Sequence, residues 1–120
     1  MFEKYWIIAC RTKDLGKKPK RVKLFGRYFV AFRSKNGAPQ LLEDRCPHRN
    51  APLSSGRIIN GEIECPYHGW KFNGQGKLTH LPATESTNHV CSVPSFPSID
   101  QEGYVWVSLN QNPVQPSPPR

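Results

Sequence analysis

The chain has 120 residues, room for one ordinary domain and not for two. Hydrophobic residues make up only 37% and the net charge is +8, so a bound metal group, whose binding energy is also folding energy, would usefully supplement apolar burial. No run approaches the roughly 20 apolar residues needed to cross a bilayer, and the first apolar stretch leads into Arg11 and Lys13 rather than a small-residue cleavage site, which predicts a soluble, cytoplasmic protein that does not engage membranes.

Residues 5–10 open the chain as a predicted strand rich in aromatic and β-branched side chains. Much of the positive charge follows at once, in Lys13, Lys17, Lys18, Lys20, Arg21 and Lys23. Gly16 and Pro19 interrupt this run and no aromatics are interleaved, so it predicts a solvated loop between strands rather than a nucleic-acid surface. Complementary charge would instead favour an acidic protein partner. Further strands are predicted over residues 22–25, 28–32, 40–43, 62–65, 89–93 and 104–109. Gly, Asn and Ser punctuation separates them, as in Phe25-Gly26, Asn36-Gly37, Asn60-Gly61 and Asn73-Gly74-Gln75-Gly76. Twelve prolines and the lack of helical periodicity argue against long helices. The last strand sets Val105, Val107 and Leu109 against Tyr104 and Trp106, and from Asn110 the composition turns to Asn, Gln, Pro and Ser, predicting a tail or linker over 111–120.

Four cysteines in a non-secreted chain point to metal or thiol chemistry rather than disulfides. Cys10 and Cys91 stand alone in strand-like segments and read as small buried apolar residues. Cys46 and Cys65 are different, because their surroundings repeat: Cys46-Pro47-His48 and Cys65-Pro66-Tyr67-His68, with sixteen residues between His48 and Cys65. Each follows a predicted strand, so two loop tips would bring together two thiolates and two imidazoles. That donor set suits zinc or an iron–sulfur cluster. The Cys-x-His spacing matches zinc-finger pairs poorly, and no recognition helix follows. A [2Fe–2S] centre in which two histidines replace two cysteines on one iron remains the better match, with a structural zinc-binding module on the same four residues as the alternative.

The segments Cys46-Pro47-His48-Arg49-Asn50-Ala51-Pro52-Leu53-Ser54-Ser55-Gly56 and Cys65-Pro66-Tyr67-His68-Gly69-Trp70-Lys71-Phe72 resemble the Rieske domains of aromatic ring-hydroxylating oxygenases, in particular the vanillate demethylase and pheophorbide oxygenase type. The resemblance spans residues 6–109 and is most specific over 44–82. It implies an all-β fold, an antiparallel β sandwich over 1–110 with a small cluster-binding subdomain at about 44–83. It implies one [2Fe–2S] cluster per chain, with Cys46 and Cys65 on the buried iron and His48 and His68 on the outer one, and outer-sphere transfer of single electrons. The implied partners are redox proteins: a flavin or iron–sulfur reductase, and an oxygenase catalytic domain or subunit. Both a self-contained Rieske ferredoxin and the N-terminal domain of an oxygenase fit it. No catalytic residues are assigned within the chain, since neither a second iron site nor a flavin or nicotinamide motif is found.

Two departures refine the expectation. The extra cysteines that form a disulfide in respiratory Rieske proteins are missing, and Trp70 follows Gly69 where that class has a serine, which lowers the expected potential to roughly −150 mV. Asn50 stands where the family commonly has glycine, a substitution that left-handed backbone angles tolerate. Trp70 and Phe72 are expected to pack against the cluster loop, and Leu81-Pro82-Ala83 either covers it or forms a plain turn. His80, Glu85 and His89 contain the residue types of an iron-binding triad, but their loop setting favours ordinary surface residues.

Overall fold

The structure, a computed structural model, describes residues 5–47, 50–66, 69–81, 92–113 and 117–118. Within these residues the chain is all-β with antiparallel pairing throughout: β1 (Trp6–Arg11), β2 (Lys20–Leu24), β3 (Arg27–Arg33), β4 (Pro39–Glu43), β5 (Arg57–Ile59), β6 (Glu62–Glu64), β7 (Lys71–Phe72), β8 (Leu78–His80), β9 (Ser95–Phe96), β10 (Ser98–Gln101) and β11 (Tyr104–Ser108). Short 3-10 turns at Thr12–Asp14 and Leu53–Ser55 are the helical elements among them. No helix of the described residues is long and apolar enough to cross a membrane.

Three sheets form, in the orders β1-β11-β10, β2-β3-β4-β9 and β5-β6-β7-β8. The middle sheet is covered on both faces, and β3 shows why. Phe29 and Ala31 point into a core shared with Val105 and Val107 of the first sheet and with Leu109 just beyond it, while Val30 and Phe32 point into a second core with Leu53, Ile63, Trp70 and Phe72. β4 divides likewise, Leu41 to one side and Leu42 to the other. A strand buried on both faces needs apolar residues at successive positions, which is how Phe29-Val30-Ala31-Phe32 reads. Phe96 of β9 closes the sandwich edge-on against Phe29, with ring centroids 5.3 Å apart. The expected base of sandwiched strands is present, and the loop-bearing third sheet lies against its outer face as a third layer.

The predicted strands at 5–10, 22–25, 28–32, 40–43, 62–65 and 104–109 are observed within a residue or two of their expected ends. Five strands were not expected: β5, β7, β8, β9 and β10, of two to four residues each. The predicted strand at 89–93 falls mostly outside the described residues, and its described end contributes only a single bridge from Ser92 to Lys77. Described residues of the tail lie against the body: Gln111 Nε2 donates to the Ser95 carbonyl at 2.8 Å, and Pro118 is buried.

Candidate functional site

Cys46 follows β4 and Cys65 follows β6, and the described residues of the two loops they open share two features. The Cys46 N–H donates to the Ala51 carbonyl at 2.8 Å, and the Cys65 N–H donates to the Trp70 carbonyl at 2.7 Å, each spanning five residues. In each loop the fourth residue after the cysteine is left-handed, Asn50 with φ of 56° and Gly69 with φ of 69°. The sequence repeat is thus matched in loop closure and in the left-handed residue, and Asn50 adopts the angle expected of it. The Asn50 N–H closes the first loop further by donating to the Cys46 carbonyl at 2.7 Å.

The two thiol groups are buried, at 0% and 2% residue exposure, in one apolar cluster with Ala51, Leu53, Ile63, Trp70 and Phe72. Trp70 and Phe72 pack as expected, and half-buried Leu81 lies against the same cluster. His48 and His68, the other two candidate ligands, lie outside the described residues, as do Pro82, Ala83, Glu85, His89 and Cys91. His80 is exposed at the end of β8. Paired cysteine sulfurs at matching points of twin loops, shielded from water by an apolar shell, fit the thiolate half of an iron–sulfur site. Cys10, half-buried in β1, is a thiol of another kind: burial pushes its pKa up, so it stays protonated and packs against the sandwich core.

The bracing of the first loop went unread in the sequence. Asp44, two residues before Cys46, has a fully buried carboxylate. It accepts from the Ser54 N–H at 2.7 Å and the Ser54 hydroxyl at 2.6 Å, so it ties the start of the loop to its return. Arg21 of β2 completes the carboxylate's pairing at 3.1 Å and lies 3.7 Å over the Tyr28 ring. The second loop is held against the first by close approach. A Cβ on Gly56 would come within 1.8 Å of the Glu64 carbonyl oxygen, the residue just before Cys65, so only glycine permits this crossing. Arg57 then pairs with Glu64 at 2.8 Å across the β5–β6 hairpin.

Comparison with known proteins agrees with this geometry. Residues 5–97 match the Rieske [2Fe-2S] domain family. The chain is 38% identical, over its whole length, to the 3-chlorobenzoate-3,4-dioxygenase oxygenase subunit of Comamonas testosteroni, covering 29% of that protein. It is 43% identical over 84 residues, 70% of the chain, to the chloroplastic chlorophyllide a oxygenase of Chlamydomonas reinhardtii, covering 13% of it. The crystal structure of apo dicamba monooxygenase superimposes with a TM-score of 0.87 at 31% identity, over 97% of this chain and 37% of that one. The chain therefore spans between about an eighth and somewhat over a third of these relatives. Nothing in the fold or the comparisons favours a zinc-only module. With its antiparallel layers, its twin cysteine loops and this match over most of its length, the chain belongs to the Rieske [2Fe-2S] domain family, whose cofactor is a Rieske [2Fe–2S] cluster.

Proposed function

We propose that this chain passes single electrons through a cluster held by Cys46, His48, Cys65 and His68, with residues 44–83 as the cluster-binding subdomain of a Rieske domain over 1–110. The observation that carries the reading is the equivalence of Cys46 and Cys65: the same loop-closing hydrogen bond, a left-handed residue at the same offset, the same burial and one shared apolar cluster. When bound, the cluster accepts and releases one electron. The protein's own residues fix two sulfur ligands in a dry setting and keep the loops from spreading, through Asp44–Ser54 on one side and the Gly56 crossing on the other. The N–H groups of Cys46 and Cys65 close the loops by donating to the Ala51 and Trp70 carbonyls. Trp70, which follows Gly69 where the respiratory class has a serine, brings no hydroxyl to the cluster sulfurs, and a hydroxyl donor fewer means a more negative potential.

The relatives named as oxygenases support a place in a ring-hydroxylating oxygenase system, either as the Rieske domain ahead of a catalytic iron domain or as a separate Rieske component. Electrons would enter from a flavin or iron–sulfur reductase and leave to an oxygenase catalytic domain or subunit. As part of the same proposal, the chain works in the cytoplasm, a reducing compartment in which thiols stay available to iron. An electrochemical titration of the reconstituted chain tests the reading. It should show uptake of one electron per chain at about −150 mV, the low end of the Rieske range. A clearly positive potential contradicts the oxygenase-type assignment.

A further inference from the structure

The lysine-rich loop ahead of β2 is held in place from inside and left without acid partners outside. Leu15 is buried in the sandwich core, and Arg33 grips the loop from below. Its Nε donates to the Leu15 carbonyl at 2.8 Å and its Nη2 to the Thr12 carbonyl at 3.1 Å. Lys13, Lys17 and Lys18 are exposed. Among the described residues, neither they nor Lys20 make an ion pair, and Asp14, the acid within this segment, is taken by Arg11 at 2.9 Å.

This surface runs on to the candidate site. Lys17, Lys18 and Pro19 share a shallow concavity of about 460 Å³ with Ser54, Gly56 and Arg57. Gly56 and Arg57 in turn border a neighbouring concavity of about 380 Å³ with Cys65, Pro66 and Gly69. Like charges gathered on a pinned loop repel one another, and an acidic surface laid over them removes that cost. Single-stranded nucleic acid fits less well, because residues 13–23 offer no aromatic platform for bases.

We infer that Lys13, Lys17 and Lys18 form the docking surface for an acidic electron-donor protein, which brings its redox centre beside the Cys65 loop. The inference rests on the electron-transfer reading above. One electron leaves the reduced donor and is taken up by the cluster, and no other group is transferred.

The test uses the cluster-loaded chain and a reduced, strongly acidic plant-type [2Fe–2S] ferredoxin as probe. Stopped-flow absorbance gives the second-order reduction rate, and calorimetry with the oxidised ferredoxin gives affinity without any electron transfer. The double variant Lys17→Glu/Lys18→Glu should react about tenfold more slowly at low ionic strength and bind more weakly, with the rate difference closing as salt is raised. Lys35→Glu/Lys77→Glu makes the same change in net charge elsewhere and should stay near wild type. Equal losses in the two double variants reduce the effect to net charge and overturn the inference, as does an unchanged Lys17→Glu/Lys18→Glu rate and affinity. Binding to double-stranded DNA that depends on these lysines, with the ferredoxin rate unaffected, would assign the surface to nucleic acid instead. If the wild-type chain accepts no electron from either the ferredoxin or dithionite, the electron-transfer reading fails and the docking inference falls with it.

Discussion

Asn50 holds a backbone angle that most side chains avoid, and it does so inside the loop that presents Cys46. A β-branched residue there would meet the steric penalty that asparagine tempers, so Asn50→Val should cost about 1–2 kcal/mol in urea unfolding, while Asn50→Gly should stay within a few tenths. This position was legible in the sequence, because the residue type departs from glycine in the one direction that preserves the angle. Asp44 was not. An acid two residues before a cysteine carries no pattern of its own, and its partners, Ser54 and Arg21, are ten and twenty-three residues away in the chain. Asp44→Ala strips the Ser54 N–H and hydroxyl of their charged acceptor and should destabilise the protein by about 2–3 kcal/mol, with easier loss of iron. Asp44→Asn, which keeps an acceptor oxygen, should lose less in the same measurements.

Among the elements, the long strands announced themselves and the short ones did not, for a physical reason. β3 and β11 carry enough consecutive or alternating apolar residues to report their own burial. β5, β7, β8, β9 and β10 are two to four residues long, and they exist because a neighbour supplies the ladder: Ile58 opposite Ile63, Phe72 opposite Ile63, Leu42 opposite Ser95. No window of that length shows a period. The third sheet also depends on one contact invisible to pattern reading, the passage of Gly56 against the Glu64 carbonyl. Gly56→Ala puts a carbon where backbone already lies, and neither partner is a flexible side-chain end. The two cysteine loops must separate, so this variant should unfold with about 1–3 kcal/mol less resistance and retain less iron per chain than wild type.

At the scale of the molecule, the layers are fastened by Arg33 of β3 and Asp100 of β10, which pair at 2.7 Å across the sandwich while Arg33 also grips the lysine loop. Burial alone would push the Asp100 pKa up, but hydrogen bonds from Arg33 and Thr12, with the Arg33 charge, outweigh it and hold the carboxyl below its ordinary value. A lowered pKa in the fold means that this stabilisation is present above the unfolded carboxylate value, about 3.9, and disappears as pH falls through the folded one. Urea unfolding should therefore find Asp100→Asn less stable than wild type at pH 7, with the gap narrowing below about pH 4. A gap independent of pH would assign the effect to packing.

The proposed electron transfer depends on one centre of two irons and two sulfides held by Cys46, His48, Cys65 and His68. Iron, zinc and acid-labile sulfide analysis of the anaerobically reconstituted protein, beside its His48→Ala variant, probes that centre most directly. The expected result is two irons and two sulfides per wild-type chain with no zinc, as the family's [2Fe–2S] cluster requires, and loss of that content in the variant. Zinc without sulfide in the wild type, or a variant that keeps its full iron and sulfide, would contradict it.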